Sequence, residues 1–167
     1  MILGYRVADR RYPIFDGGGA ALRGARWNSV GRRVIYACDT LAGAMLEVLA
    51  HLPSTKLPRH HAYIRIEIPA AVSCLTADLT ELPDWSAPES PAARRYGDRW
   101  LDEQHTCVLR VPSVIVPEGY NLLINPLHPE FERLRASEPL DLHWDARLFG
   151  SGVKAGVRQD HGHRNDR

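Results

Sequence analysis

Residues 61–70, HAYIRIEIPA, alternate apolar and polar side chains with a period of two. This alternation predicts a β-strand that is buried on one face and exposed on the other. The polar face carries Tyr63, Arg65 and Glu67. The apolar face carries Ala62, Ile64, Ile66 and Ile68. The chain must therefore supply a hydrophobic core against one side of this strand.

A second pattern has the period of an α-helix. The segment TLAGAMLEVLAHL begins at Thr40, a side chain suited to capping a helix N-terminus, and ends before Pro53. Its apolar residues recur at the spacings of one helix face. They are Leu41, Ala44, Met45, Val48, Leu49 and Leu52. We therefore expect an amphipathic helix that packs on the core.

The other elements are shorter. A second helix is expected at 91–103, and the glycine-rich region 11–33 is expected to be a long loop. Strands are expected at the N-terminus, at 34–39, on both sides of Pro112, in the apolar run before Pro126, and at 140–149. This order lacks the regular βαβ alternation of a doubly wound sheet. It predicts an α+β fold with a compact mixed-sheet core and few helices.

Length and charge limit the classes of function. The 167 residues suit one domain, which we place at 1–150, followed by a polar tail at 151–167 that we expect to be disordered. The formal net charge of +1 argues against direct nucleic-acid binding. Neither a membrane span nor a secretory signal is expected, and Cys38, Cys74 and Cys107 form no CxxC pair. A reduced, cytoplasmic setting follows.

Glu47 is the first candidate for chemistry. It lies off the apolar stripe of the helix, and its neighbours on that flank, Gly43 and Ala50, are small. A glycine there would let another group approach the backbone closely, beside a carboxylate. A solvated surface glutamate next to a tolerated glycine explains the same pattern, and the residues alone leave both interpretations open.

Arg6, Arg26 and Tyr36 are further candidates. An arginine presents a planar fork of donors that suits phosphate or carboxylate, and Arg26 follows a flexible glycine segment. Solvated or acid-paired arginines, and a tyrosine buried in the core, remain the alternatives. Arg32 and Arg33 are assigned to the surface. Trp27, Asn28, Asn121 and Asn125 have no assigned role; Trp27 and Asn28 either shape the loop or touch a ligand.

Several familiar motifs are missing. The glycine loop contains neither GxGxxG before a helix nor GK[ST], so it is not a dinucleotide fingerprint or a P-loop. His51, His60 and His61 lack metal-ligand spacing, and no metal is expected. Ser113 lacks the GxSxG elbow of a serine hydrolase, which leaves it as a hydrogen-bonding group at a strand end.

In combination and in this order, these segments resemble the RES domain, which is named for an arginine, a glutamate and a serine. The resemblance runs from GYRV through GARWNSVGRRVIYACDTLAGAMLEVLAH and YGDRWLDEQHTCVLRVPSVIVPEGYNLLINPLHPEF to DARLF. It covers nearly all of residues 1–150, and it is similar in particular to the ParT-like toxins of bacterial toxin–antitoxin pairs. Family members usually show GGRWN, whereas this chain has Ala25 in place of the second glycine.

The resemblance implies an α+β core similar to ADP-ribosyltransferases, with NAD⁺ as the substrate. The family's arginines fall on Arg6 and Arg26, its tyrosine on Tyr36, its glutamate on Glu47 and its serine on Ser113. Glu47, Arg26 and Ser113 would be catalytic. Arg6 and Arg26 would hold the pyrophosphate, Tyr36 would meet the cationic nicotinamide, and Ser113 would hydrogen-bond the substrate.

The resemblance further implies a toxin that breaks the nicotinamide–ribose bond and passes ADP-ribose to an acceptor. A protein acceptor is favoured, and phosphate or water are the alternatives. A cognate antitoxin, itself expected to bind DNA, would cover the NAD⁺ site. A module that senses a nucleotide or binds the antitoxin without turnover is the alternative from another class.

Overall fold

The computed structural model describes residues 1–53, 57–80 and 82–149. Its strands are β1 (Ile2–Asp9), β2 (Ile35–Cys38), β3 (His61–Ile68), β4 (Cys74–Thr76), β5 (Val108–Pro112), β6 (Tyr120–Ile124), β7 (Arg135–Ala136) and β8 (Leu140–Asp141). Its helices are α1 (Gly18–Arg23), α2 (Leu41–His51) and α3 (Pro91–Glu103), and short 3₁₀ turns span Pro129–Arg133 and Ala146–Leu148. The predicted mixed sheet with few helices is confirmed.

All eight strands belong to one sheet, in the order β4-β5-β6-β2-β1-β3-β7, with β8 also paired to β3. The pairs are antiparallel except for β4 and β5, which run parallel. β1 pairs with β3 along its whole length but with β2 only at Tyr5 and Cys38. Backbone groups between β1 and β2 are therefore left unpaired by the sheet, and side chains can bind them there.

The two long helices begin where their sequences predict. The Thr40 side chain accepts the Gly43 N–H at the start of α2, and the Ser90 side chain accepts the Ala93 N–H at the start of α3. Pro91 occupies the first turn of α3, where it costs no hydrogen bond. These local signals explain why the expected helices at 41–52 and 91–103 agree with the structure.

The sheet separates two layers of packing because successive side chains of a strand point to opposite faces. The predicted apolar face of β3 is buried in the larger core cluster, together with Ile35 and Ala37 of β2. On the other face of β2, Tyr36 packs against the α3 cluster and Cys38 packs with Ala44 of α2. Both long helices therefore cover the same face of the sheet, side by side.

Three predicted elements are wrong. The glycine-rich loop contains the six-residue helix α1, which buries none of its residues. The second strand expected after Pro112 is a turn, and the final strand expected at 140–149 is limited to Leu140–Asp141. No helix within the described ranges is long and apolar enough to cross a membrane. The polar tail at 151–167 lies outside the described residues.

Candidate active site

A cavity of about 580 Å³ lies between α2, the ends of the central strands and the loop that follows α1. Its volume falls within the range of small-molecule and cofactor sites in proteins. The polar and aromatic groups that matter most in its lining are Arg6, Arg26, Tyr36, Cys38, Glu47 and Asn121. Four of the five predicted site residues therefore line one cavity, and the fifth, Ser113, contacts Glu47 at its edge.

Glu47 is not a free surface glutamate. Its Oε1 atom accepts a hydrogen bond from Asn121 Nδ2 at 2.9 Å and another from Ser113 Oγ at 3.3 Å. Within the described part of the chain, Oε2 has no hydrogen-bond partner. The carboxylate is therefore held by one oxygen, while the other remains available to a ligand.

Ser113 can act only as a donor toward Glu47. Its Oγ atom accepts the backbone N–H groups of Ile115 and Val116 at 3.1 and 3.0 Å. These contacts occupy both lone pairs of the hydroxyl, so its single hydrogen is left for the carboxylate. They also close the turn that replaces the expected second strand. This arrangement favours a hydrogen-bonding role for Ser113 over a nucleophilic one.

The expectation for the small neighbours of Glu47 is half wrong. Ala50 lines the cavity, whereas Gly43 is buried one helical turn before Glu47. A methyl group on Gly43 would lie 3.0 Å from Thr40 Oγ1 and 3.5 Å from Cys38 Cβ. Gly43 therefore leaves room for the capping hydroxyl of Thr40, rather than for a ligand.

His51 ends α2, one turn after Glu47, and it also lines the cavity. Its Nδ1 atom lies 2.7 Å from the backbone oxygen of Glu47. Because a carbonyl oxygen can only accept, Nδ1 is the donor of this hydrogen bond.

Arg6 lies on β1, next to the one residue that pairs with β2. Its Nε and Nη1 atoms donate to the backbone oxygens of Ile14 and Tyr36 at 2.8 and 2.7 Å. Burial lowers the pKa of its guanidinium, and the nearby carboxylate of Asp16 partly offsets this. An arginine keeps its charge under such a shift, so a cation is fixed at this wall of the cavity.

Arg26 lies at the tip of a tight turn that is closed by a bridge between Ala25 and Asn28. Its Nη1 atom donates to the backbone oxygens of Trp85, at 2.7 Å, and of Ala87. Gly24, before the turn, has a φ of +67°, which favours glycine. Ala25 is not among the residues with positive φ, so the departure from GGRWN is compatible with the loop.

Neither arginine is neutralised by a carboxylate within salt-bridge distance in the described ranges. Each uses two of its five N–H donors on backbone oxygens, which leaves three without a described partner. Unpaired guanidinium groups beside a cavity attract an anion, and free donors can bind its oxygens. The cavity therefore combines two cations with one partly free carboxylate.

Tyr36 lines the cavity with its ring, while its hydroxyl donates to Asn28 Oδ1 at 2.8 Å. Burial raises the pKa of the Tyr36 hydroxyl, which stays a neutral donor. Asn28 is fully buried, and its Nδ2 lies 3.0–3.1 Å from the backbone oxygens of Ala20, Ser29 and Arg32. Asn28 therefore shapes the loop and orients Tyr36.

Helix α3 packs against the arginine turn, the turn at Ala25–Asn28 that carries Arg26. Trp27 is buried between Trp85 and Tyr96, with ring centroids 6.2 and 6.1 Å away. Gly97 lies directly against the backbone of Trp27. A methyl group on Gly97 would overlap the Trp27 carbonyl group, so glycine is needed here. Trp27 thus belongs mainly to the core, although part of it reaches the cavity wall.

Asp98 binds the same loop through hydrogen bonds. It accepts the Ser29 N–H at 2.8 Å and the Ser29 hydroxyl at 2.5 Å. Its Oδ1 also lies 3.4 Å from Arg32 Nε, and Arg32 reaches Asp102 as well. Arg32 is partly exposed, so its assignment to the surface agrees with the structure, and its contacts with Asp98 and Asp102 also link the loop to α3. Arg33 is more exposed and lies 3.8 Å from Asp16.

Asn121, Gly97 and Asp98 were not identified from the sequence. Asn121 follows a turn and looks like any polar residue at a strand start. Gly97 and Asp98 lie inside a helix that carries no other sign of a site. In residues 1–53, 57–80 and 82–149, no three metal-ligating side chains cluster, and the expectation of no metal stays a prediction.

Comparison with known proteins is consistent across sequence and fold. The family model described as the RES domain matches residues 4–145. The chain is 40% identical to "Prs ADP-ribosylating toxin" of Sphingobium sp. (strain YBL2), over 87% of this chain and 95% of that protein. It is 35% identical to "Toxin Res" of Photorhabdus laumondii subsp. laumondii, over 89% of this chain and 97% of the relative.

A solved structure shares the fold. It is described as the crystal structure of the M. tuberculosis MbcT–MbcA toxin–antitoxin complex, and the matched chain superposes with a TM-score of 0.65. The sequence identity is 20%, and 84% of each chain is covered. At that identity, the likeness extends to the fold alone.

Proposed function

This chain belongs to the RES domain family, and on that premise we propose that it is a toxin of a toxin–antitoxin pair that cleaves NAD⁺. It breaks the bond between nicotinamide and ribose and transfers ADP-ribose to an acceptor. The observation that carries this proposal is Glu47, whose Oε1 is held by two donors while Oε2 remains open beside the cavity.

The charges of the cavity suit NAD⁺ as the substrate. The pyrophosphate of NAD⁺ is a dianion that would accept the free N–H donors of Arg6 and Arg26. The nicotinamide ring is a cation, which is stabilised against an aromatic face such as that of Tyr36. Glu47 would then lie at the ribose between these two groups.

Glu47 would stabilise the transition state of bond cleavage. As the bond from ribose C1′ to the nicotinamide nitrogen breaks, its electron pair leaves with the nicotinamide and positive charge develops on the ribose. Oε2 would accept a ribose hydroxyl and place its negative charge next to that developing cation. The acceptor then attacks C1′ and loses a proton to solvent or to a neighbouring base.

Ser113 and Arg26 would contribute by holding groups in place. The hydroxyl hydrogen of Ser113 points to Glu47, so Ser113 would stabilise the carboxylate or move to the substrate when NAD⁺ binds. Arg26 is anchored on two backbone oxygens, which would fix the pyrophosphate relative to Glu47. Precise placement of the reacting bond lowers the barrier without further chemistry.

A protein is the acceptor that we favour. The support is the relative from Sphingobium, which is named an ADP-ribosylating toxin and is 40% identical over almost its whole length. A cytoplasmic location follows from this proposal, because NAD⁺ and candidate target proteins are found there. We also propose an antitoxin partner that covers the cavity and blocks the activity; the support for a partner of this kind is that the structure sharing this fold is a toxin–antitoxin complex.

Three parallel reactions of the purified protein with NAD⁺ test the proposal. They contain ¹⁸O-water alone, added phosphate, or a bacterial cell extract, and mass spectrometry locates the ADP-ribose. We expect nicotinamide release and ADP-ribose on a protein of the extract, with Glu47→Gln as the inactive control.

Each other result has a defined meaning. ADP-ribose found only on phosphate or water would replace protein transfer with NAD⁺ phosphorylase or glycohydrolase activity. Tight NAD⁺ binding with no nicotinamide in any reaction would overturn the enzyme and leave a nucleotide-sensing module. Equal rates for the unmodified protein and Glu47→Gln would remove Glu47 from the mechanism.

A further inference from the structure

We propose that Asn121 is the positioning residue of Glu47, and that the thiol of Cys38 in turn fixes the direction of the Asn121 amide. The inference rests on the role proposed above for Glu47. It assigns a function to two residues that lie beside that carboxylate and that neither the motifs nor the family comparison singled out.

The three residues form a continuous chain of contacts. Cys38 and Asn121 are direct partners in the pairing of β2 with β6, so their side chains lie on the same face of the sheet. Cys38 Sγ lies 3.1 Å from Asn121 Oδ1, and Asn121 Nδ2 lies 2.9 Å from Glu47 Oε1. All three residues line the cavity.

The direction of the amide follows from the donors available. Burial raises the pKa of the Cys38 thiol to about 12, and the carboxylates of Glu47 and Asp39 act in the same direction. Cys38 therefore remains an S–H donor near neutral pH. A donor on this side of the amide selects its oxygen, which turns Nδ2 toward Glu47. The carboxylate also selects Nδ2, so the thiol acts with it; without the thiol, Oδ1 loses its donor and the amide is held in this direction by one contact instead of two.

The consequence concerns which oxygen of Glu47 reacts. Asn121 and Ser113 both donate to Oε1, so the carboxylate has one saturated oxygen and one free oxygen. An amide turned the other way would repel Oε1 and leave only the longer contact with Ser113. Loss of this positioning should slow bond cleavage more than it weakens NAD⁺ binding, because the pyrophosphate is held elsewhere by Arg6 and Arg26.

Steady-state kinetics separate positioning from a merely structural role. Asn121→Asp keeps the shape of the side chain but replaces the donor by an acceptor. We expect kcat for nicotinamide release to fall by about 10- to 100-fold, the worth of a hydrogen bond to a charged group, with KM for NAD⁺ changed by less than about threefold. Equal losses in kcat and in NAD⁺ affinity would overturn the proposal.

Matched variants of Cys38 test the second link. Cys38→Ala removes the donor, and we expect kcat to fall by about two- to fivefold. Cys38→Ser keeps a hydrogen-bond donor, and it should restore most of that loss at a similar melting temperature. A Cys38→Ser variant as slow as Cys38→Ala would show that the donor has no role in positioning.

The S–H stretching band in the infrared spectrum gives a readout that needs no turnover. The band that disappears in Cys38→Ser belongs to Cys38, and hydrogen bonding should lower its frequency relative to a free thiol. In Asn121→Ala the band should move up to the frequency of a free thiol. A free-thiol frequency in the unmodified protein would overturn this inference. Absence of nicotinamide release would instead overturn the proposed function, and the band would still test the contact between Cys38 and Asn121.

Discussion

The two sides of the cavity are built in different ways. On the carboxylate side, Glu47 is held by side-chain donors from two other segments, Asn121 and the turn at Ser113. On the arginine side, the turn at Ala25–Asn28 is held by its own backbone bridge, by the side chains of Asn28 and Asp98, and by the close packing of α3. We infer that substitutions on the carboxylate side affect the reaction first, and substitutions on the arginine side affect folding and binding first.

Glu47→Gln should give the largest effect on the reaction. The amide keeps the size of the side chain but removes the charge that would stabilise the ribose cation. We expect nicotinamide release to fall by about 100- to 1,000-fold, with a melting temperature within about 3 °C of the unmodified protein. Glu67→Gln, on the exposed face of β3, is the matched control and should keep full activity. A large loss of stability in Glu47→Gln would break the contrast between the two sides.

Gly97→Ala should give the largest effect on stability. The added methyl group would overlap the Trp27 carbonyl group, and overpacking of this kind costs on the order of 3 kcal/mol. The melting temperature should therefore drop by about 6–12 °C in calorimetry.

Gly19→Ala is the control for that experiment. Gly19 is also in a helix, but nothing lies within 4 Å of the position of its added methyl group. Its melting temperature should stay the same or rise slightly. Similar drops for both variants would mean that helix propensity, rather than packing on the arginine turn, determines the result.

Asp98→Asn should have an intermediate effect. The amide can still accept the Ser29 N–H, but it loses the charge that faces Arg32 and the second acceptor for the Ser29 hydroxyl. We expect a loss of about 1–2 kcal/mol in urea unfolding and a KM for NAD⁺ that rises more than kcat falls. A change in kcat with KM unaffected would contradict the assignment of Asp98 to the binding side.

A further effect should appear at high pH on the carboxylate side. Burial raises the pKa of Cys38 to about 12, whereas an ordinary thiol has a pKa of about 8.5. The folded protein then binds a proton that the unfolded chain has lost, so stability is complete below about pH 8.5 and falls as pH rises toward 12.

Urea unfolding between about pH 8 and pH 10.5 measures this slope. The decline should be shallower in Cys38→Ala. A residual decline is expected from Cys107, whose pKa burial also raises to about 12. An unchanged slope in Cys38→Ala would mean that this thiol does not retain its proton in the folded protein.

Local signals predicted the elements that frame the site. Thr40 and Ser90 mark the starts of α2 and α3, and the alternation of β3 identifies its buried face. The errors fall where a single side-chain contact or the extent of strand pairing decides the structure. The segment after Pro112 looks like a strand, but Ser113 Oγ accepts two backbone N–H groups and folds it into a turn. β8 is short because its pairing with β3 covers only two residues.

The residues of the candidate site also divide into those that the sequence predicts and those that only the folded structure reveals. The family resemblance predicted five residues: Arg6, Arg26, Tyr36, Glu47 and Ser113. The structure places the first four in the lining of one cavity and Ser113 against Glu47 at its edge. Asn121 could not be predicted, because its contact with Glu47 depends on the register of β6 against β2. The same holds for Gly97 and Asp98, whose function in supporting the arginine turn exists only after α3 packs on it.

The most direct test of the central claim is a crystal structure of Glu47→Gln with NAD⁺ bound. The substitution slows cleavage and preserves the cavity, so the intact dinucleotide should be visible. We predict the pyrophosphate against Arg6 and Arg26, the nicotinamide against Tyr36, and a ribose hydroxyl at the side-chain position of residue 47 that faces away from Asn121. NAD⁺ bound outside this cavity, or with its pyrophosphate away from both arginines, would contradict the account.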